Sequence, residues 1–172
     1  MNTQELTGIL PHLFGELVHG SPDPSVGTYM LNRGDAGLLT SLEKISAEAA
    51  SSTANGGGSI AMHTDHIRYG LALLNRWAAG ADKPWKGADW TASWRIMKVS
   101  DEEWRVLRDD LRREADAWRD ALAKPRELYD SEAKWFVCSV AHLAYHLGAI
   151  RQIDRVTRGP TAEEERALLW SA

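Results

Sequence analysis

The sequence predicts an all-α protein built as a four-helix bundle. Three observations carry that expectation. Apolar residues recur at intervals of three and four in several long stretches, which puts them on one stripe of a helix. No stretch alternates apolar and polar residues as a half-buried strand would, and no internal repeat is present. Helix-start signals precede the periodic stretches: Asp35, Ser59, Ser100 with Glu103, and Thr161 with Glu164. At 172 residues, 44% of them hydrophobic, the chain has the size of one domain, and a core can form without disulfide or metal staples.

The elements follow in order. Residues 3 to 19 carry Leu6, Ile9, Leu10, Leu13, Phe14, Leu17 and Val18 at helical spacing. Pro11 interrupts them, because proline lacks a backbone donor and clashes with the preceding turn. The expectation is two short pieces, or one helix with Pro11 near its start, forming an N-terminal extension. His12 and His19 there read as ordinary surface or packing residues. Gly20–Gly27 is a loop by composition. Asp35 caps a helix striped by Leu38, Leu42, Ile45 and Ala49. The glycine-rich Ser51–Gly58 reads as a linker; it has no strand before it and none of the phosphate-cradle patterns.

Ser59 opens the second bundle helix, through about Ala79. Residues 80 to 98 form a long connection with proline, glycine and three tryptophans. Its length permits a crossover between the second and third helices. The tryptophans are expected to cover the end of the bundle in preference to walling a pocket. The third helix carries Trp104, Leu107, Leu111, Ala115, Trp118 and Leu122, with Arg108, Asp109, Arg112 and Asp116 as a solvated face, and stops before Pro125. The last long helix starts at Asp130 or Ser131 and runs toward Gly159-Pro160, its stripe being Phe136, Val140, Leu143, Leu147 and Ile150. A short helix opened by Thr161 ends the chain. The whole of 1–172 reads as one domain with its bundle core at about 35–156.

Charge and cysteine usage narrow the function classes. The net charge is −4 and no basic tract is present, which argues against nucleic acid or an anionic membrane as partner. One cysteine, Cys138, excludes an internal disulfide and fits a reducing compartment. The first residues lack a signal-peptide pattern, and no apolar run approaches the ~20 residues that span a bilayer. A soluble cytoplasmic protein is expected.

The candidate chemistry lies in histidines. His142 and His146 are four apart, one above the other at the edge of the last helix's apolar arc. Two imidazoles so placed can point at one metal ion. On the second helix His63 falls near the centre of the buried arc and His66 about 60° around it. Four inward histidines on two helices favour a metal site over four separately satisfied core residues. Periodicity leaves either His63 or His66 as the third ligand. Cys138 shares the stripe of His142 but reads as a small core residue. Asp35, Glu43 and Glu132 are candidate acceptors for the ligating rings' second N–H.

Two stretches resemble the DinB-like (damage-inducible) family, which also contains the bacillithiol and mycothiol S-transferases. One is Ser59-Ile-Ala-Met-His-Thr-Asp-His66; the other is His142-Leu-Ala-Tyr-His146-Leu-Gly148-Ala-Ile150, similar to the family's His-x-x-x-His-x-Gly-Gln-Ile. The resemblance covers the four helices from about Asp35 to Val156. It implies a bundle of crossover topology and one divalent metal held by His66, His142 and His146. His63 then stands beside the site, and Tyr145 with the loop tryptophans is a candidate for shaping an apolar substrate pocket. The sequence departs from the pattern at Leu147, where a basic residue is common, and at Ala149, where glutamine is frequent.

Three neutral imidazoles leave a fourth tetrahedral position open, as catalytic sites do. Zinc is the first expectation for the ion and nickel the second. The resemblance implies a small-molecule substrate and transfer of a low-molecular-weight thiol. Metal-dependent hydrolysis and a non-enzymic metal-binding stress or interaction protein are the alternatives. The tryptophan content and the small-residue strip Ala141, Ala144 and Gly148 predict a homodimer.

Overall fold

The structure is a computed structural model that describes residues 4–21, 23, 27–53, 56–96 and 98–170. Parts of the two predicted loops at 20–27 and 51–58, Met97 of the long connection, and residues 1–3 of the expected signal-free start lie outside the described residues. Among the described residues the chain is all-helical, with seven α-helices and no strand.

Helix α1 (Leu10–His19) has Pro11 in its first turn, where the missing N–H costs nothing, and a 3-10 turn at Gln4–Leu6 precedes it. Phe14, Leu17 and Val18 are almost fully buried and belong to the same hydrophobic cluster as the later helices. The core therefore starts near Leu10 and not at residue 35, because α1 lays its apolar stripe on α5 and α6. His19 Nε2 meets Asp116 Oδ1 at 2.9 Å, and His12 packs edge-on to Tyr29, so both histidines have the ordinary roles expected of them.

The turn from α1 into α2 (Gly37–Glu43) depends on two glycines. Gly20 (φ +77) and Gly37 (φ +72) bring their backbones so close that a Cβ on Gly20 would stand 2.0 Å from the Asp35 carbonyl oxygen. Glu16 ties down the intervening loop by accepting from the N–H groups of Tyr29, Met30 and Leu31. Asp35 Oδ1 accepts from the Gly37 N–H, a cap-like bond to the start of α2, and its carboxylate also takes both oxygens to Arg151 at 2.8 Å.

The helix predicted across Leu38 to Ala49 is two helices, α2 and α3 (Ala47–Ser51). Ser46 caps the second by accepting from the Ala49 N–H, and the Ile45 carbonyl accepts from Trp104 Nε1 at 2.8 Å. A side-chain cap and a carbonyl drawn to another partner break a helix whose apolar period runs on unbroken.

The longer helices follow the sequence closely. α4 is Ile60–Ala78, capped by Ser59; α5 is Asp101–Leu122, with the Ser100–Glu103 capping box; α6 is Asp130–Ile153, with Glu132 closing back on the Tyr129 N–H. α6 stops short of Gly159-Pro160, because Asp154 turns the chain into a 3-10 turn at Arg155–Thr157 by accepting from the Val156 N–H. α7 (Ala162–Trp170) opens on the predicted Thr161–Glu164 box.

α4 and α6 run antiparallel. The Trp77 ring lies 6.0 Å from Phe136 at one end of the seam, and His63 lies 5.1 Å from His146 at the other. The seam between these two helices carries the histidines. On α6, Ala141 and Gly148 are exposed and Ala144 is half-buried. No helix is long and apolar enough to cross a membrane among the described residues.

Candidate metal centre

His63 and His66 sit in the first two turns of α4, directly after the Ser59 cap. His142 and His146 sit in the second half of α6. Antiparallel packing brings these two segments face to face. His146 is 2% exposed and His63 8%, His66 is half-buried and His142 opens to solvent. One ring nitrogen from each of His66, His142 and His146 lies within 4.8 Å of the other two. These three could hold a metal ion.

The hydrogen bonds sort the ring nitrogens. His146 Nε2 faces His142 Nε2 at 2.9 Å. His146 Nδ1 faces His63 Nδ1 at 2.8 Å. His66 Nδ1 meets Ser93 Oγ at 3.2 Å, leaving its Nε2 for the cluster. A zinc ion with Zn–N bonds of about 2.0–2.1 Å and tetrahedral angles separates its nitrogens by roughly 3.3 Å. The His142–His146 pair would open by only a few tenths of an ångström to meet that requirement. The donor set, three imidazoles, suits a divalent transition-metal cation.

Electrostatics agree with this use. Burial lowers the pKa of all four imidazoles. At His66 the neighbouring His63 adds to it while Asp65 opposes; at His142 the neighbour is His66. At His146 burial, then His142, His63 and His66 together, push the pKa down to about 3. Neutral imidazoles at pH 7 are the form a metal requires.

The long connection supplies the rest of the site. Its 3-10 turn Ala92–Arg95 docks on α4, stabilised by Thr91 donating to Asp89 and Arg95 reaching both. The turn places Ser93, 2% exposed, against His66, and lays the Trp94 ring 4.7 Å from His66 and edge-on to His63 at 5.2 Å. Trp90 packs 6.3 Å from His66 and lines a cavity of about 310 Å³ beside His66 and His142. So the loop tryptophans Trp90 and Trp94 wall the histidine site and do not merely cover the bundle's end. Gly58 comes close as well, since a Cβ there would meet Trp94 at 3.1 Å and His63 Nε2 at 3.3 Å.

Several expected neighbours are elsewhere. Cys138 is not a core residue; it is exposed and lines the cavity, because α6 turns this edge of its stripe toward the open groove. Tyr145 touches the edge of His146 at 5.0 Å but is 69% exposed on the outer face of α6 and does not line the cavity. Asp35 pairs with Arg151, Glu43 with Arg112, and Glu132 caps α6, so none of them receives a ligand's N–H. Ser93 and His63 take the places proposed for those carboxylates. Ser93 escaped notice because it lies in a loop with no period, and only the docking of that loop on α4 aims it.

No protein-family model matches the chain, and neither a curated protein nor a solved structure does.

Proposed function

We propose that the chain binds one divalent cation, zinc before nickel, through His66, His142 and His146, and uses it to transfer a low-molecular-weight thiol to an electrophile. The observation that carries this reading is the convergence of three ring nitrogens within 4.8 Å of one another, on His66, His142 and His146, the first two of which also line an apolar cavity. The resemblance of the two histidine stretches to the DinB-like family supports the same assignment, as does the all-helical fold. The specific bundle type of that family is part of the proposal.

His146 anchors the set: with its Nε2 on the ion, its Nδ1 carries the proton and donates to His63 Nδ1, 2.8 Å away, which holds the ring in that tautomer. Ser93 orients His66 in the same way. When bound, the ion supplies a Lewis acid that lowers the pKa of a thiol or water at its open position. Trp90, Trp94 and the apolar wall of α4 keep bulk water from one side of that position. In the transfer the thiol gives its proton to solvent, a carbon–sulfur bond forms, and the electrophile's leaving group departs with its electron pair. The thiolate is the nucleophile, so Cys138 is not needed for it.

Conjugation and hydrolysis are compared on the same electrophiles, with and without added thiol and with and without zinc. Zinc-dependent turnover only with thiol is expected. Turnover without thiol assigns the site to hydrolysis. Stoichiometric zinc with neither activity assigns it to a non-enzymic metal-binding role.

A further inference from the structure

We propose that the groove between α4 and α6 is a binding site for an uncharged, elongated aromatic small molecule, held with one end against the imidazoles of His66 and His142. The role of that end rests on the metal reading above; the groove itself is argued from its walls.

The groove has two lobes. One, of about 310 Å³, is bounded by His66, His142, Leu71, Leu74, Trp90 and Trp135. The other, of about 290 Å³, shares Leu74, Trp90 and Trp135 and extends toward Trp85 and Leu73. These are volumes at the small end of ligand sites, about 300 Å³ and upward. Each lobe is smaller than one turn of helix, a cylinder about 5.4 Å long and about 10 Å across, or roughly 420 Å³. The occupant is therefore a small molecule.

Its charge follows from the lining. Among the described residues, no Asp, Glu, Lys or Arg side chain borders either lobe. A charged ligand would lose its hydration with no counter-charge in exchange. The polar groups in the lining are the two imidazoles, the Cys138 thiol, the indole N–H groups of Trp85, Trp90 and Trp135, and Ser139, whose hydroxyl already donates to the Phe136 carbonyl. The imidazoles are the strongest polar partners among them, and the remaining walls are apolar or aromatic. Its shape follows from the indoles. Trp90 is 44% exposed at the rim, and Trp135 packs edge-to-face with both Trp85 and Trp77, ring centroids at 3.8 and 5.5 Å. Flat walls of this kind suit aromatic rings.

Gly70 indicates that the space is built in. It stands in the interior of α4 and does not have a positive φ, so its conformation does not call for glycine. Glycine there weakens the helix relative to alanine. A Cβ at Gly70 would meet nothing nearer than Trp90 Cζ3 at 3.9 Å. What the missing side chain provides is the floor of both lobes.

The test uses the full chain, metal-free and zinc-loaded, and the probes 2-naphthol (neutral at pH 7) and 2-naphthoate (its anionic counterpart). Cys138 is the one cysteine of the chain and lines the groove, so its rate of alkylation by iodoacetamide reports occupancy. Calorimetry is expected to show 2-naphthol binding to the metal-free chain and Cys138 alkylation slowing as it saturates. Binding of 2-naphthoate there is expected to be weaker by about tenfold or more, since its charge finds no partner. Gly70→Leu, which fills the floor, should weaken 2-naphthol by about tenfold or more. Trp90→Ala, at an exposed loop position, should weaken it as well and serves if the leucine variant does not fold. Equal affinity for the two probes, unchanged affinity in the folded variants, or unprotected Cys138 with probe bound overturns the proposal. So does protection that rises with protein concentration in the absence of probe, because a second copy would then be covering the groove. His146→Ala separates the two readings: it loses zinc but keeps 2-naphthol binding when the groove stands by itself.

Discussion

The Nδ1 atoms of His63 and His146 lie 2.8 Å apart across the seam between α4 and α6. One of the two must carry a proton. If His146 ligates through Nε2, its Nδ1 carries that proton and His63 is the acceptor. The same arrangement lets His142 Nε2–H donate to His146 Nε2 in the metal-free chain. A single set of tautomers thus satisfies both bonds, and moving the His142 proton from Nε2 to Nδ1 frees the His142 and His146 Nε2 atoms together for a cation.

The first prediction is the rank of the histidines. His142→Ala and His146→Ala should each abolish stoichiometric zinc, measured after dialysis against a weak chelator. His63→Ala should weaken affinity by about 10- to 100-fold, as loss of a ligand's hydrogen-bond partner does. Complete loss in His63→Ala with retention in His66→Ala would exchange the roles of those two residues.

Ser93 gives a second prediction. Ser93→Ala removes the partner of His66 Nδ1 and should weaken zinc by about tenfold through ligand orientation. Ser93→Thr retains a hydroxyl and should recover part of the loss. Competition against a zinc indicator measures both; an unchanged constant in the alanine variant removes Ser93 from the site.

Stability should depend on pH in a stated direction. The folded-state pKa of His146 is lowered from 6.5 to about 3, and the other three imidazoles move the same way. Below pH 6.5 the unfolded chain binds protons that the folded chain refuses. The stability of the metal-free protein is therefore fully present above pH 6.5 and falls as pH drops toward 3. The slope from His146 approaches about 1.4 kcal/mol per pH unit. Urea midpoints between pH 7.5 and 4.5 should show this fall, and His146→Gln should flatten it. A midpoint that rises on acidification contradicts the assignment.

The buried Asp35–Arg151 pair should matter for folding and not for the metal. Asp35 is 1% exposed, and a Cβ on Gly159 would come within 1.8 Å of its Oδ2. Asp35→Ala leaves Arg151 without its partner at a cost of about 3–5 kcal/mol. Urea denaturation should show the loss, while the folded fraction keeps one zinc per chain. Loss of zinc from protein that remains folded would tie Asp35 to the site.

Most helices were legible in the sequence because their signals are local. Ser59, Ser100 with Glu103, and Thr161 with Glu164 cap where the pattern places them, and the apolar periods of α5 and α6 name their buried faces. Leu38, Leu42 and Ile45 are buried as the period requires, yet the helix breaks at Ser46 because Trp104, 59 residues away, takes the Ile45 carbonyl.

The amino-acid sequence by itself determined the all-helical class and put a pair of histidines on one side of each of two helices, since a 3.6-residue period turns spacing directly into direction. Only the tertiary structure decided that the two pairs meet, that His146 rather than His142 is the buried member, and that His63 bonds to His146 while His66 bonds to Ser93. The same holds for Trp90, Trp94 and Cys138, which came to line or wall the site. Those outcomes depend on the relative placement of α4, α6 and a loop without period. Contacts between elements distant in sequence are set by packing, and no local spacing encodes them.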